Sequence, residues 1–216
     1  AIWSPFIDIP NRPWNNGVCF PAGNVGYACG DKGRFYTSTN AGVSWQQLAV
    51  PVQVANRNFQ DVFFHDLDTG FVVGGTRILN TGFQLVDSAQ TILRTTNGGL
   101  DWSVIRDIPA HQLRSIKFSV SQLGLACGDN GTLLRTTDGG TTWNTIAVPG
   151  GLEERDLMDI VQLSSGKWVI VGGDYYTDSL YVMIDSSQTI ISSVDDGLTW
   201  EVLVDTEGPM LKAVAE

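Results

Sequence analysis

The sequence contains few of the residues from which metal sites and catalytic sites are usually built. It has two histidines and three cysteines in 216 residues, with no C-x-x-C or H-E-x-x-H spacing. We therefore expect no metal site and no cofactor, and we interpret His65 and His111 as loop residues. Cys29 and Cys127 occupy the same place in two repeats, which favours small buried apolar positions. A disulfide between Cys19 and Cys29 stays open as an alternative.

Long apolar runs and an excess of basic charge are also missing. No apolar run approaches the roughly 18 residues of a membrane helix, and the chain does not open with a charged-then-apolar signal segment. The 13 basic and 23 acidic residues give a net charge of −10. This argues against nucleic acid and anionic membranes as partners, because both attract a cationic surface. The abrupt start at Ala1 suggests a processed or trimmed N-terminus.

Helical periodicity is absent, whereas turn residues are abundant. The 24 glycines and the charged fraction of 17% indicate many turns and few surface helices. Short β-branched and aromatic runs, bounded by Gly, Asp or Asn, are typical of strands joined by hairpins. The sequence therefore predicts an all-β fold.

An octapeptide with the pattern Ser/Thr-x-Asp/Asn-x-Gly-x-Ser/Thr-Trp occurs four times. Its Asp or Asn can accept hydrogen bonds from nearby backbone amides, its Gly tolerates a positive φ, and its Trp can cover the turn. We interpret each copy as a structural turn. Asp101 departs from the pattern, and there we expect a hydroxyl contact to be missing. The structural positions are Ser38, Asn40, Gly42, Trp45, Thr95, Asn97, Gly99, Trp102, Thr136, Asp138, Gly140, Trp143, Ser193, Asp195, Gly197 and Trp200.

This octapeptide resembles the Asp-box, or BNR repeat, which occurs in sialidases, xyloglucan-degrading hydrolases, sortilin-type receptors and the photosystem II stability/assembly factor family. The longer phrase over residues 128–140 is most similar to the assembly-factor family, and residues 30–45 are a weaker match. The resemblance implies a β-propeller of four-stranded antiparallel blades. Asp-boxes are specific for this architecture and not for one function.

The spacing of the octapeptides shows a double period. Trp45 and Trp143 are 98 positions apart, as are Trp102 and Trp200, which indicates duplication of a unit with one short and one long blade. Four-stranded units at fixed spacing predict a β-propeller. The blades are placed at approximately 11–50, 57–108, 111–149 and 155–206, with 1–10 and 209–216 in an incomplete blade. We expect these blades to be part of a ring of about six to eight.

The long blades carry an insert between their second and third strands. Because strands alternate in direction, these inserts share a face with the blade-to-blade loops, opposite the octapeptides. Exposed aromatic side chains there would suit sugar rings or a protein partner; alternatively, they pack the insert onto its own blade. The candidate binding residues are Arg77, Asn80, Phe83, Tyr175, Tyr176 and Tyr181.

The sequence does not assemble a recognisable catalytic site. Glycosidases need two carboxylates that flank a cleft. Asp61 and Asp159 occupy matched positions on innermost strands, where repeated acids are more often structural. A sialidase site would also need three converging arginines, whereas Arg94 and Arg135 lie on third strands, away from the channel.

These observations favour a non-catalytic, exported propeller module that binds a protein or glycan or scaffolds an assembly, similar to photosystem II assembly-factor-like proteins. We expect a protein or polysaccharide partner on the insert face, in a bacterial extracellular, cell-surface or periplasmic location. One alternative is a glycoside hydrolase of the sialidase or xyloglucanase kind. Another is a structural segment of a large surface or filament protein, either oligomeric or part of a longer chain.

Overall fold

The computed structural model describes residues 15–79, 85–119, 122–177 and 183–215, with side chains except at 79, 85–87, 175–177 and 183–185. In these ranges the chain forms four antiparallel sheets and a short 3-10 turn at Val52–Val54, without an α-helix. None of the helical segments described there is long and apolar enough to cross a membrane. The predicted all-β propeller fold class is confirmed.

Each sheet forms one blade, and in blades 1 to 3 the strands follow one another in chain order. Blade 1 contains β1 (Asn15–Ala22), β2 (Val25–Gly30), β3 (Arg34–Ser38) and β4 (Gln46–Leu48). Blade 2 contains β5 (Asn58–Phe64), β6 (Gly70–Leu79), β7 (Leu85–Thr95) and β8 (Ser103–Ile108). Blade 3 contains β9 (Leu113–Phe118), β10 (Gly124–Gly128), β11 (Leu133–Thr136) and β12 (Asn144–Thr145). Blade 4 contains β13 (Asp156–Gln162), β14 (Trp168–Gly173), β15 (Tyr175–Thr177), β16 (Met183–Ser193) and β17 (Glu201–Glu207). In this blade β16 pairs with β14, β15 and β17.

The first strand of each blade is innermost and contacts the first strand of the next blade. Thus β5 packs against β1 and β9, and β9 packs against β13. Within the described ranges, no strand of blade 1 contacts blade 4 to a comparable extent, so these four blades do not close a ring.

A separate apolar cluster fills each interface between neighbouring blades. Phe35 and Phe59 lie between blades 1 and 2, Phe71 and Leu113 between blades 2 and 3, and Trp168 between blades 3 and 4. All five side chains are fully buried. Burying an apolar side chain of this size contributes roughly 1.5–3 kcal/mol, so the blades are held together mainly by these contacts.

Each octapeptide connects the third strand of its blade to the fourth through a hydrogen-bonded turn. In blade 3, the Thr136 hydroxyl accepts from the Gly140 amide at 3.0 Å and donates to Asp138 Oδ1 at 2.8 Å. Asp138 Oδ1 also accepts from the Thr142 amide at 2.9 Å. Trp143 Nε1 donates to the Gly140 carbonyl at 3.2 Å. In the other three octapeptides, the same two backbone amides donate to the Ser or Thr hydroxyl and to the side-chain oxygen of the Asn or Asp.

At Asp101 the hydroxyl contact is absent, as we expected, and a carboxylate contact takes its place with donor and acceptor exchanged relative to blade 3. Asn97 Nδ2 donates to Asp101 Oδ2 at 2.9 Å, much as Asn40 Nδ2 donates to the Ser44 hydroxyl at 2.8 Å. An Asn side chain offers N–H donors as well as an acceptor, so it needs an acceptor at the seventh position, and a carboxylate serves.

At the start of each insert, two paired strands extend beyond the rest of the sheet as a two-stranded ribbon. β5 pairs with β6 only as far as Gly75, and β8 reaches β7 only from Gln90, whereas β6 and β7 stay paired out to Leu79 and Leu85. In blade 4, β15 and β16 extend the sheet in the same way beyond Gly173.

The segment after blade 4 lies beside β13 and β14. The Leu211 amide donates to the Gly172 carbonyl at 3.1 Å, and the Val214 amide donates to Asp159 Oδ2 at 2.9 Å. It does not form a regular strand over residues 209–215, and its place in an incomplete blade stays a prediction. The predicted contribution of residues 1–10 lies outside the described ranges.

The three cysteines are free thiols. The disulfide between Cys19 and Cys29 that the sequence left open is therefore not formed. Burial raises the pKa of Cys19 to about 12, with the nearby Asp61 carboxylate adding to the rise. Burial also raises the thiol pKa of Cys29 and of Cys127 well above its usual range. These thiols stay protonated at neutral pH, as expected for buried apolar positions.

Candidate functional site

A pocket of about 430 Å³ opens on the face that carries the ribbons. One wall comes from the base of the β6–β7 ribbon, the opposite wall from the chain before β15, and the turn between β10 and β11 lies between them. The lining residues are Arg77, Arg114, Asn130, Glu154, Asp156, Met158, Asp174, Met210 and Lys212. The pocket therefore occupies the insert face, opposite the octapeptides.

Three of the lining residues, Arg114, Met158 and Lys212, occupy the same position in successive repeats. Gln60, Arg114 and Met158 are matched in blades 2, 3 and 4, and Lys212 takes the same place in the segment after blade 4. Arg114 and Met158 lie near the starts of β9 and β13, and Arg114 Nη1 lies 3.5 Å from Gln60 Oε1. We call these four residues the mouth ring. The backbone repeats around the ring while the side chains differ in charge and polarity.

The arginines of the pocket are held by carboxylates from neighbouring loops. Arg114 binds Asp129 with two nitrogens, Nε at 2.5 Å and Nη2 at 3.0 Å, and the Asp129 side chain is almost fully buried. Such bidentate pairs fix both orientation and position. Arg77 Nη1 lies 3.4 Å from Asp156 Oδ2 and 3.6 Å from Asp129 Oδ2. The Arg77 side chain remains 44% exposed, so it is the accessible cation of this wall.

Burial and the nearby Asp129 charge raise the pKa of Asp156, against the hydrogen bond from the Asn130 amide. In that hydrogen bond the Asn130 amide donates to Asp156 Oδ1 at 3.1 Å. Because Asp156 Oδ2 lies 3.4 Å from Arg77 Nη1, the pocket presents positive and negative charge close together.

A second arginine, Arg155, positions the carboxylates of Asp174 and Asp205. Arg155 Nη1 binds Asp174 Oδ2 at 3.2 Å, and Arg155 Nε binds Asp205 Oδ1 at 3.1 Å. The hydrogen bond to Asp205 is the main cause that raises the pKa of Arg155. The equivalent arginine in blade 2, Arg57, binds Asp107 at 2.9 Å. This arginine therefore belongs to the framework of the long blades and orients Asp174 at the pocket.

The structure places one of the six predicted binding residues in the pocket wall. That residue is Arg77. Tyr175 and Tyr176 lie on β15, directly after Asp174. Asn80, Phe83 and Tyr181 lie outside the described residues.

The sequence reasoning missed most of the pocket, including Arg114, Met158 and Lys212. The signal was available, because these three follow the same spacing as Phe59, Leu113, Leu157 and Leu211, one position later. We did not follow the repeat at this position.

Asp61 and Asp159 each bind the backbone of the repeat that follows their own. Asp61 Oδ2 accepts from the Ile116 amide at 3.0 Å, and Asp159 Oδ2 accepts from the Val214 amide at 2.9 Å. Each carboxylate also accepts the amide of the residue that follows it. These matched bonds tie one blade to the next.

Arg135 on β11 takes part in a contact between neighbouring blades. Arg135 Nε donates to the Asp196 carbonyl at 2.8 Å, which is a contact between blades 3 and 4. Among the described residues, no group of three or more His, Cys, Asp or Glu side chains is placed to hold a metal ion.

No family model matches this sequence, and no curated protein matches it. Solved structures do share its fold. YCF48 bound to D1 peptide superposes with a TM-score of 0.58 at 19% identity, over 91% of this chain and 71% of that one. YCF48 from Cyanidioschyzon merolae gives a TM-score of 0.61 at 16% identity, over 91% of this chain and 58% of that one.

Glycoside hydrolase propellers are also similar. An ancestral GH74 enzyme superposes with a TM-score of 0.56 at 19% identity. The match covers 88% of this chain and 24% of the enzyme. This chain thus spans about a quarter of that enzyme. At such identities the likeness shows a β-propeller fold similar to that of YCF48, and the fold alone does not assign an activity.

Proposed function

We propose that this chain is a non-catalytic propeller module that binds an extended segment of a partner protein in the pocket between the two ribbons. The observation that carries the proposal is the pocket itself, with Arg77 and Lys212 close to Asp156 and Asp174, and Met158 among them. A volume of about 430 Å³ lies in the range of roughly 300–1,000 Å³ that is usual for ligand sites. The predicted location outside the cytoplasm stays a prediction.

The chemistry of the lining favours a peptide over a glycan. The described pocket residues are charged, amide or methionine side chains, whereas sugar rings bind best on aromatic surfaces. A peptide offers charged side chains, backbone donors and acceptors, and apolar groups together. Methionine side chains adapt to varied apolar partners, and the fixed arginines supply orientation.

A solved neighbour supports the choice of ligand class. YCF48 has been solved with a D1 peptide bound, so a protein of this fold can take a peptide ligand. For this chain, a peptide lying across the pocket would contact the bases of both ribbons. Pairing with a ribbon strand would add backbone hydrogen bonds, as in other recognition of extended peptides.

The proposal is tested by selecting peptides from a displayed random library on the full chain and measuring their affinity by calorimetry. Arg77→Glu should weaken the selected peptides about tenfold or more, because it replaces the accessible cation of the wall with a like charge beside Asp156. The matched control is Lys167→Glu, a charge reversal in the β13–β14 turn on the opposite face, which should leave affinity unchanged.

Equal affinity of the Arg77→Glu and wild-type proteins would contradict the proposed site. The non-catalytic part is tested with a panel of fluorogenic glycosides. Turnover by the wild-type chain that is lost in Asp61→Asn would instead support the glycoside hydrolase alternative.

A further inference from the structure

A single serine hydroxyl lies between two carboxylates where blades 2, 3 and 4 meet. Ser115 Oγ is 3.0 Å from Asp61 Oδ2 and 2.9 Å from Asp159 Oδ1. The three residues occupy matched positions on β5, β9 and β13. Both carboxylates also accept backbone amides, from Ile116 and from Val214.

If both carboxylates are charged, the cluster has too few hydrogen atoms for both contacts of Ser115 to be hydrogen bonds. A serine hydroxyl has one proton and can donate it to one acceptor at a time. Ser115 is 3% exposed, so solvent hardly reaches it to supply another. With two carboxylates charged, one of the two contacts would bring oxygen lone pairs together without a hydrogen, alongside repulsion between like charges.

One additional proton resolves this conflict. A protonated Asp61 can donate its O–H to Ser115 Oγ, and Ser115 then donates its own O–H to Asp159 Oδ1. The reversed chain, with the proton on Asp159, is equally complete. Every oxygen contact then has a hydrogen, and the backbone amides keep their acceptors. Loss of the proton to solvent leaves two negative charges joined through one hydroxyl.

The surroundings provide only partial compensation for a second negative charge. Lys117 on β9 acts on Asp61 and favours its charged form. Arg114, also on β9, is bound to Asp129, and the thiols that face the cluster, Cys19, Cys29 and Cys127, stay neutral. Lys212 lies two residues before Val214, on the pocket side. Burial raises the pKa of Asp61 to about 6, although the amides of Ile116 and Val62, the Ser115 hydroxyl and Lys117 oppose the rise.

We propose that Asp61, Ser115 and Asp159 form a proton-binding site that retains one proton at pH values where ordinary aspartates have lost theirs. The bound proton links the innermost strands of three blades through one chain of hydrogen bonds. The site lies directly beneath the pocket, since Arg114 precedes Ser115 and Met158 precedes Asp159. Proton loss therefore adds negative charge below the pocket floor. Only the effect of this charge on a bound partner rests on the proposed function.

The test is a carboxyl-carbon NMR titration of the full wild-type chain between pH 3 and 8, without a partner. Carboxyl signals are assigned through the bonded backbone, so that no variant is required for assignment. We expect the Asp61 carboxyl to titrate near pH 6, and the carboxyl signal of Asp159 to respond to the same step, because Ser115 joins the two groups. Titration of Asp61 below about pH 4.5, as for ordinary aspartates, would overturn the proposal whatever the partner experiments show.

Asp159→Asn distinguishes a shared proton from a carboxyl that is merely buried. Without the second carboxylate, the Ser115 proton is free to bind Asp61 and the like charge is gone, so the Asp61 midpoint should fall by about one pH unit or more. Burial alone would leave that midpoint near 6, and this result would also overturn the proposal. If the variant does not fold, the wild-type titration decides alone.

Discussion

At the scale of single residues, the octapeptide turns work by matching donors to acceptors between their third and seventh positions. Asp138 accepts from the Thr142 hydroxyl at 2.7 Å, whereas Asn97 donates to Asp101 at 2.9 Å. The sequence pattern permits Asp or Asn at the third position, and Asp101 departs from it at the seventh, but the structure shows that the two choices are coupled. The sequence predicted the turn, and it could not show the coupling because a pattern lists positions separately.

We therefore expect Asn97→Asp to destabilise the chain, because two carboxylates would face each other across the turn of blade 2. The loss should be about 1–2 kcal/mol, the usual effect of breaking a hydrogen bond and leaving its partner unpaired. Adding Asp101→Thr should restore most of it, since the turn then has the side chains of the blade 3 turn. Urea unfolding of both single variants and the double variant measures the coupling. Additive effects would contradict it.

At the scale of elements, the two long blades repeat a framework of polar contacts in addition to their strands. Arg57 and Asp107 in blade 2 correspond to Arg155 and Asp205 in blade 4, and each pair links the chain before the first strand to the fourth strand. The sequence showed the 98-residue period from its tryptophans alone. These arginines were not predicted, because a single charged residue in a loop gives no periodic signal.

The ribbons begin at glycines whose backbone leaves no room for a side chain. Gly75 has a φ of +149°, and a Cβ there would lie 1.7 Å from the Ala89 carbonyl oxygen. Gly173 occupies the same place in blade 4, with a φ of +137° and a contact of 2.0 Å to the Ser187 carbonyl oxygen. The sequence predicted an insert between these strands, but it could not indicate that the insert continues the sheet as paired strands.

Gly75→Ala should lower the free energy of unfolding by about 2 kcal/mol or more, because both the φ and the carbonyl contact oppose a side chain. Gly150→Ala is the matched control: no atom lies within 4 Å of its added Cβ, so it should change stability by roughly 0.5 kcal/mol or less. Thermal unfolding followed by circular dichroism compares them. Similar unfolding temperatures for the two variants would show that the ribbon base is more adaptable than its geometry indicates.

At the scale of the whole molecule, the fold was largely predictable and the pocket was not. Four repeated turns with regular spacing determine four blades, because each repeat gives the same local information again. The pocket combines the Arg77 ribbon base, the mouth ring and Asp174, which are far apart in sequence. Its residues have no shared pattern of chemistry, and only the packing of blades 2, 3 and 4 brings them together.

The shifted pKa values of a few side chains predict that the folded chain is most stable at weakly acidic pH. The Thr142 amide is the main cause that lowers the pKa of Asp138 to about 2, and the Thr199 hydroxyl does the same for Asp195. Their stabilising contribution is present above about pH 4 and is lost as the pH falls towards 2. Asp61, with its raised pKa of about 6, acts in the opposite sense: it binds its proton more tightly when folded, so stability falls as the pH rises from about 4 to above 6. Burial lowers the pKa of His65, which partly offsets Asp61.

The acid limb of this profile is tested with Asp138→Asn, which has the side chain of the blade 1 and blade 2 turns and does not titrate. Its unfolding temperature should fall less than that of the wild type between pH 4 and 2. In His65→Asn, the offsetting group is removed, so stability should rise more clearly from pH 7 to 4. Parallel acid limbs for the wild type and Asp138→Asn would show that the turn carboxylate does not contribute to the acid sensitivity.

The mouth ring also has a consequence for how such a chain can acquire new specificity. Gln60, Arg114, Met158 and Lys212 differ in charge, length and polarity, although they occupy the same position in successive repeats. After the two-blade unit was duplicated, substitutions at this position could accumulate independently in each copy while the interior contacts between blades were retained. A combinatorial library at these four codons would therefore sample many recognition surfaces on one unchanged scaffold.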